Sequence, residues 1–262
     1  MPLNDRNRDS TCCRILVVED RHDFRVSLAR EFEKLGHRVT LASERSDALV
    51  QGECEPFDLL ISDLASATSD DSELVRSFKL AVTNLPCECT IAVLHDLIEK
   101  TLTFKIRCID SAHDVKQVRE KIDFELPSDL TLMGTVLEYL LDRVAKLGLV
   151  EIEQSNLFVA LDEAFVNAVT HGNRNDPNKL LRVTAELSGN EAIFTVEDEG
   201  DGFDVHEIPD PTDPDNLFKS SGRGVLLIYN IMDEVEYSKS GKRLRMVKRP
   251  NIKSEPPAIA GG

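Results

Sequence analysis

The first half of the chain alternates apolar runs with amphipathic segments. The apolar runs, which are typical of buried strands, are residues 14–18, 37–42, 57–62 and 90–94. The amphipathic segments, which are typical of helices, are residues 24–35, 43–50 and 72–82. Because strands that alternate with helices form parallel crossovers, the pattern predicts a doubly wound α/β domain with a parallel sheet.

The second half has a different order of elements. Residues 110–120 suit either a short last helix or a helical linker, and a strand is predicted at residues 121–126. The predicted helices are residues 130–147, 153–170 and 224–232, and the later strands are residues 180–187, 192–196, 234–238 and 243–247. The last two strands form a hairpin that turns at Ser240 and Gly241. Helices followed by an antiparallel sheet predict an α+β sandwich.

A length of 262 residues suits two domains that each bury a core. The composition of the chain ends indicates a flexible tail at each end. We therefore predict four segments: a flexible tail at residues 1–12, the α/β domain at residues 13–118, the α+β domain at residues 119–249 and a disordered tail at residues 250–262.

Charge and composition narrow the classes of function. A formal net charge of -16 argues against non-specific binding to nucleic acid or to an anionic membrane surface. The sequence has neither the apolar core of a signal peptide nor a run long enough to span a bilayer, so we expect a cytoplasmic protein. The six cysteines lack paired zinc spacing and the density of a secreted disulfide framework, which predicts reduced thiols.

A polar stripe marks one of the predicted helices. Glu163, Asn167 and His171 recur at every fourth residue, so on a helix they share one side, while Leu157 and Leu161 line another. One side of this helix therefore packs in a core and the other meets solvent or a ligand. Taken alone, the stripe is explained by an ordinary solvated helix face.

A first glycine cluster follows a predicted strand. Gly200 and Gly202 let the backbone turn sharply and approach a ligand without a Cβ atom in the way. Asp198, at the end of the strand, is suited to accept a hydrogen bond from the exocyclic amine of adenine. Taken alone, this cluster is explained by a simple turn.

A second glycine cluster opens the helix predicted at residues 224–232. The backbone N–H groups and the positive dipole end at Gly222, Arg223 and Gly224 suit phosphate groups. The stretch of residues 203–221 contains three prolines and predicts a mobile lid. All three clusters in this order predict a nucleotide site, and neither a P-loop nor a protein-kinase motif set is present.

These residues resemble the N, G1 and G2 boxes of the histidine-kinase-like ATPase superfamily, and within it the anti-sigma factor serine kinase group. The matching motifs are Glu163-x-x-x-Asn167-Ala-Val-Thr-His171-Gly172, Asp198-x-Gly200-x-Gly202 and Ser221-Gly222-Arg223-Gly224. The resemblance covers about residues 124–248. The short lid fits this group better than it fits sensor kinases, which also need a phosphoacceptor histidine on a dimerisation helix.

The resemblance implies ATP and Mg²⁺ as ligands. Asn167 would bind Mg²⁺, Asp198 would read adenine, and Glu163 would be the general base that takes a proton from a serine or threonine hydroxyl. The other residues implied in nucleotide binding are His171, Gly200, Gly202, Gly222, Arg223 and Gly224. The alternative role for Glu163 is to organise water, which would make the protein a slow ATPase.

The implied function is an ATP-dependent serine/threonine kinase that phosphorylates an anti-sigma factor antagonist. Two alternatives stay open: a noncatalytic module that binds a partner in a nucleotide-dependent way, and a histidine-kinase-like phosphotransfer protein. A sigma factor, an upstream histidine kinase and a second copy of the chain are further candidate partners.

Three acids in the first half follow predicted strands. Glu19 and Asp20 end the first strand and Asp63 ends the third, so a parallel sheet brings them to one edge, where they suit Mg²⁺. Their positions resemble a response-regulator receiver domain of flavodoxin-like fold over about residues 13–118. The resemblance implies that Asp63 is a phosphoacceptor and that the receiver regulates the kinase.

Two departures from the receiver pattern bear on that role. His95 takes the place of the family's serine or threonine, and no lysine is predicted at the usual position, because Lys105 and Lys116 are both poorly placed. The alternative is a degenerate receiver used for dimerisation or docking, with Asp63 kept as a metal ligand.

Overall fold

The structure is a computed structural model that describes residues 12–54, 56–67, 74–83, 90–109, 118–149, 156–202 and 223–250. Its strands are β1 (Arg14–Glu19), β2 (Arg38–Ala42), β3 (Leu59–Ala67), β4 (Leu74–Val82), β5 (Val118–Pro127), β6 (Leu180–Leu187), β7 (Ala192–Asp198), β8 (Glu234–Tyr237) and β9 (Arg243–Lys248). Its helices are α1 (His22–Lys34), α2 (Arg45–Cys54), α3 (Ile91–Phe104), α4 (Leu130–Leu147), α5 (Leu157–Val166) and α6 (Arg223–Ile231). Two π-helical turns, Lys105–Ile109 and Asn167–Gly172, continue α3 and α5.

All nine strands belong to one sheet, in the order β2-β1-β3-β4-β5-β6-β7-β9-β8. The first three strands are parallel, as the sequence predicts for the first half. β4 then runs antiparallel to β3 and parallel to β5, and every later neighbouring pair is antiparallel. The strands of the two predicted halves are therefore joined edge to edge through β4 and β5.

Two predicted elements of the first half are wrong. Residues 72–82 were expected to be helical but contain β4, in which Phe78, Leu80 and Val82 are buried at every second position. Residues 90–94 were expected to be a strand but begin α3, because the apolar pattern continues at helical spacing through Ile98 and Leu102. A receiver with an all-parallel sheet is therefore not what the first half forms.

Most elements of the second half are confirmed. Helix α4 has the predicted bounds, since the Asp129 carboxylate accepts a hydrogen bond from Thr131 N–H at its start and Gly148 takes a left-handed φ of 68° at its end. Strand β6 also has the predicted bounds, and the hairpin of β8 and β9 turns through Gly241, which has a φ of 70°.

One large core lies on the sheet face covered by α1, α3, α4, α5 and α6. Phe78 of β4, Phe124 of β5 and Tyr139 of α4 stack in its middle with ring centroids 5.8 to 6.1 Å apart. A smaller cluster on the opposite face packs Leu16 and Val18 of β1 near α2. The predicted domain boundary between residues 118 and 119 falls at the start of β5, and both the sheet and the core continue across it.

Several predictions fall outside the described residues: the tail at residues 1–11, the lid at residues 203–221 and the tail at residues 251–262. Within the described part of the chain, no helix is long and apolar enough to cross a membrane. The expectation of six reduced thiols is wrong for Cys13, which is disulfide-bonded, while Cys12 is a free thiol.

Candidate functional site

Helix α5 carries the predicted polar stripe. Leu157, Leu161 and Ala164 are buried on its inner side. Glu163 and Asn167 are half-buried on the other side, and His171 is exposed in the π-helical turn that follows. The helix thus uses its apolar side for the core, as its sequence period predicts, and Asn167 and His171 of the stripe line a cleft.

The cleft is a cavity of about 270 Å³ between α5, β7, α6 and the β8–β9 hairpin. Most of its wall is apolar, from residues such as Ala164, Ala168, Val196, Val225 and Leu244. The small alanine side chains on α5 leave width between the helix and the sheet. Polar groups enter this apolar slot at few points, which is the usual character of a small-molecule site.

Asp198 is one of these polar points. Its Oδ1 accepts a hydrogen bond of 2.8 Å from Gly200 N–H, and its own N–H donates to the Lys242 carbonyl at 3.0 Å. Burial raises the pKa of Asp198, while the Gly200 hydrogen bond and the Lys242 charge act in the opposite direction. The carboxylate is therefore fixed in place and lies in the cleft as a hydrogen-bond acceptor.

Close backbone approaches explain three of the glycines. A Cβ atom on Gly172 would lie less than 3.0 Å from the Asp198 carboxylate, and one on Gly200 would overlap the Gly172 carbonyl. Gly202 has a φ of 78°, and a Cβ atom there would overlap the Ser240 carbonyl. The turn after β7 can therefore pack against α5 and the hairpin only without side chains at these positions.

Asn173 holds this turn to the neighbouring elements. Its side chain is fully buried, its Nδ2 donates to the Leu180 carbonyl at 2.9 Å, and its Oδ1 accepts from Glu199 N–H at 2.7 Å. The Glu199 carboxylate in turn accepts from Leu180 N–H at 2.9 Å. Sequence reasoning missed Asn173, although its place directly after the His171-Gly172 motif was a usable signal.

A second polar point lies where α5 meets the start of α6. A Cβ atom on Gly224 would lie less than 3.0 Å from Glu163 Oε2 and 3.6 Å from Asn167 Nδ2. The carboxylate, the amide and the N-terminus of α6 therefore converge, and a helix N-terminus favours anionic groups. The predicted Gly222 and the side chain of the predicted Arg223 lie outside the described residues.

The residues present fit an adenine nucleotide with Mg²⁺. Asn167 Nδ2 is buried without a hydrogen-bond partner among the described residues, so this amide has unused capacity toward the cleft. Rotation of the amide group presents its oxygen, which is a suitable Mg²⁺ ligand. Asp198 supplies an acceptor elsewhere in the cavity, and Gly224 lets the start of α6 lie close to Glu163 and Asn167.

The three acids of the first half also come together, as predicted. Glu19 and Asp63 are buried neighbours in the registered pair of β1 and β3. Three basic side chains, which sequence reasoning missed, contact them: Arg21, Arg76 and Lys105. Burial raises the pKa of Glu19, and hydrogen bonds from Arg21 oppose that shift. No group of three His, Cys, Asp or Glu side chains in the described ranges has the arrangement of a metal site.

The predicted positions of Lys105 and His95 are both wrong. Lys105 is not poorly placed, because its Nζ donates to Asp63 Oδ2 at 2.9 Å from the π-helical turn after α3. His95 does not follow a strand but lies inside α3, where its Nδ1 is 3.8 Å from Glu99 Oε2. Lys116 lies outside the described residues.

Comparison with known proteins decides the family of the second half. The profile of the histidine kinase-like ATPase domain matches residues 126–248. The anti-sigma F factor of Anoxybacillus flavithermus (strain DSM 21510 / WK1) is 32% identical over 112 residues, which cover 40% of this chain and 75% of that protein. The chain belongs to the histidine kinase-like ATPase family. The expected ATPase fold of the second half is thereby confirmed.

Other relatives of the chain carry related names. The anti-sigma F factor of Geobacillus stearothermophilus is 34% identical over 96 residues, which cover 35% of this chain. The chain spans 64% of the length of that relative. The serine-protein kinase RsbW of Bacillus licheniformis is 26% identical over 141 residues, which cover 51% of this chain and 88% of that protein.

Proposed function

We propose that this ATPase is an ATP-dependent protein serine/threonine kinase that phosphorylates an anti-sigma factor antagonist. The observation that carries the proposal is the convergence of the Glu163 carboxylate, the Asn167 amide and the N-terminus of α6 at Gly224. A base, a metal-ligand amide and an anion-binding helix end are the groups that phosphoryl transfer to a hydroxyl requires. The names of the similar anti-sigma F factors and of the serine-protein kinase RsbW support the choice of substrate class.

Asp198, Asn167 and Glu163 have different roles in the proposed reaction. Asp198 orients the adenine ring through its exocyclic amine, and the apolar slot excludes water from the ring faces. Asn167 would hold Mg²⁺, which supplies charge neutralisation at the phosphate oxygens. Glu163 accepts the hydroxyl proton of the partner's serine or threonine while the hydroxyl oxygen bonds to the γ-phosphorus and the bond to the bridging oxygen breaks, releasing ADP.

The first half is proposed to act on the kinase through the shared sheet. β4 and β5 pair in parallel over residues 74–81 and 118–125, and the rings of Phe78 and Phe124 meet across this seam. A partner or modification that shifts the first half would therefore shift β4 and, through it, β5 of the second half. Control of the kinase by the first half and a cytoplasmic location both belong to this proposal.

The experiment compares Glu163→Gln with the wild type. Each protein is incubated with γ-labelled ATP, Mg²⁺ and candidate antagonist proteins, and the labelled residue is identified. We expect Glu163→Gln to reduce transfer by about 10²- to 10⁴-fold, because the proton acceptor is lost, while calorimetry finds ATP binding nearly unchanged. Asp162→Asn, one exposed position away on α5, is the matched control and should keep full transfer.

The outcomes separate the alternatives. Acid-stable phosphoserine or phosphothreonine on the partner supports the kinase, and equal transfer by Glu163→Gln would remove Glu163 as the base. Nucleotide-dependent partner binding without transfer would instead indicate a noncatalytic module. Release of phosphate without partner labelling would indicate a slow ATPase, and an acid-labile product would indicate histidine or aspartate chemistry.

A further inference from the structure

The Asp63 centre, which comprises Glu19, Asp20, Asp63, Arg21, Arg76 and Lys105, lies far along the sheet from the nucleotide cleft. Glu19 ends β1 and Asp20 follows it, but Asp63 lies in the middle of β3 (Leu59–Ala67) and not at its end as predicted; these are the acids predicted to bind Mg²⁺. The side chains of Glu19 and Asp63 are only 5% and 4% exposed, so each charge needs a close counter-charge. Either a metal ion or cationic side chains of the protein can supply this counter-charge.

Among the described residues, Asp63 has three cationic neighbours. Arg21 Nη2 and Lys105 Nζ donate to its Oδ2 at 2.7 and 2.9 Å. Arg76 Nε lies 3.4 Å from its Oδ1, which is an ion-pair distance, although Oδ1 accepts no hydrogen bond from the residues that the structure describes. Both oxygens that a metal ion would use therefore already face a positive charge.

The other two acids are engaged by the same side chains. Arg21 binds Glu19 in a bidentate manner, with Nε–Oε1 and Nη2–Oε2 distances of 2.8 and 3.0 Å. Arg76 Nη2 lies 3.3 Å from Asp20 Oδ1, and Asp20 Oδ2 accepts from Ala65 N–H at 2.8 Å. Within the described part of the chain, these three carboxylates thus face three cationic side chains.

A divalent ion does not fit this arrangement. It would add two positive charges where the three carboxylates already face Arg21, Arg76 and Lys105, and it would have to displace at least one guanidinium group from the carboxylates. A displaced and still buried guanidinium group would lose its charge partners at a large cost. The donor set is therefore that of an ion-pair network and not that of a Mg²⁺ site.

The reversed strand explains where the extra cation comes from. Arg76 lies on β4, opposite Ala65 in the antiparallel pairing with β3, with Phe78 opposite Asp63. Its side chain shares the sheet face of Phe78 because the two are two residues apart. The antiparallel pairing of β4 with β3 thus places the Arg76 guanidinium group beside Asp63, in the second half of β3.

We infer that Arg21 and Arg76 stand in place of a metal ion, so that the Asp63 centre is a metal-free ionic junction joining β1, β3, β4 and the end of α3. Such a centre does not depend on Mg²⁺. Its residues instead fix the position of β4, which pairs with β5, the first strand of the second half.

The first test uses the wild type without nucleotide. Binding of Mn²⁺ is followed by electron paramagnetic resonance and calorimetry, alongside Asp63→Asn and Asn167→Ala. We expect the two variants and the wild type to bind Mn²⁺ equally weakly. Binding by the wild type that is lost in Asp63→Asn but kept in Asn167→Ala would overturn the inference.

The second test opens the site. Arg76→Gln leaves three acids with two cations, so we expect it to bind Mn²⁺ at least about tenfold more tightly than the wild type and to gain thermal stability in Mg²⁺. Adding Asp63→Asn should abolish both gains. Arg243→Gln, which removes an exposed partner of Glu197, is the matched control and should gain neither.

A folded Arg76→Gln protein that gains no site would overturn the inference as well. If that variant does not fold, Arg21→Gln replaces it under the same criteria, and the wild-type comparison with Asp63→Asn still decides the question. None of these measurements involves ATP or phosphate transfer, so the result is independent of the proposed kinase activity.

Discussion

Gly224 and Glu163 stand so close that a Cβ atom on Gly224 would lie less than 3.0 Å from Glu163 Oε2. The glycine therefore lets the start of α6 approach α5 at the point where the Glu163 carboxylate projects. Because α6 begins at Arg223, the same approach brings the backbone N–H groups of a helix start beside that carboxylate. This contact connects the second glycine cluster to the polar stripe.

Gly224→Ala tests the contact. The added methyl group must displace the Glu163 carboxylate, and a displacement of about 1 Å at a reacting group reduces transfer by about 10²-fold. We expect this loss in a phosphate-transfer assay with the protein still folded. Gly134→Ala on α4 has open space around its Cβ position and should keep full transfer while gaining about 0.5–1 kcal/mol of stability. Equal transfer by the two variants would contradict the role given to Gly224.

Local signals account for the parts of the fold that the sequence predicts well. Helix α4 has a capping aspartate, a long apolar stripe and a terminal glycine, and each of these acts within a few residues of its own position. The candidate site residues Glu163, Asn167 and Asp198 are likewise predicted from short motifs on single elements. Such features can be identified without knowing which strands are neighbours.

Features that depend on distant pairing were missed. The residues of β4 form a strand because β3 and β5 flank them, and their apolar positions alone also suit a helix. Arg76 and Lys105 reach Asp63 only once β4 reverses and α3 ends beside the sheet. Asn173 is likewise defined by Leu180 and Glu199, which come later in the chain.

Asp198 predicts an acid-sensitive nucleotide affinity. Burial raises the pKa of Asp198 above its ordinary 3.8, so acidification protonates it before an exposed aspartate. The protonated group loses its acceptor role toward the adenine amine, and ATP affinity should fall as the pH falls through the raised pKa. Asp198→Asn should bind ATP about 10- to 100-fold more weakly at neutral pH and show little further pH dependence. Calorimetric titration from pH 7.5 downward provides the check.

The raised pKa of Asp198 also predicts how stability depends on pH: high pH, which favours ATP binding, lowers the free energy of unfolding. Since the folded state holds the proton of Asp198 more tightly than the unfolded state, ionisation of this group destabilises the fold as the pH rises through the raised pKa. Without nucleotide, Asp198→Asn should therefore be more stable than the wild type at neutral pH, and the difference should shrink at low pH. A difference in free energy of unfolding that grew on acidification would contradict this account of Asp198.

The buried pair of Arg143 and Glu120 predicts strongly coupled stability effects. Arg143 is 2% exposed, its Nε donates to Glu120 Oε2 at 2.9 Å, and its Nη2 contacts the second carboxylate oxygen. Arg143→Met should cost about 3–5 kcal/mol in urea unfolding, because it removes the guanidinium group that faces the largely buried Glu120 carboxylate. The double variant with Glu120→Gln should recover most of that loss. Additive losses from the two single changes would show that the pair is not coupled.

Phe78 predicts whether the two halves unfold together. Its ring lies 5.9 Å from that of Phe124 and 5.8 Å from that of Tyr139, so it joins β4 to β5 and α4 within one core. Phe78→Ala should cost about 3–5 kcal/mol through lost burial and the cavity that remains.

Because the sheet is continuous, we expect one unfolding transition, with loss of ATP binding at the same denaturant concentration as loss of helical circular dichroism. Leu49→Ala, at an exposed position on α2, should leave the free energy of unfolding within about 0.5 kcal/mol of the wild-type value. Two separate transitions in Phe78→Ala, with ATP binding retained after the first, would show that the halves are independent units that merely touch at this seam.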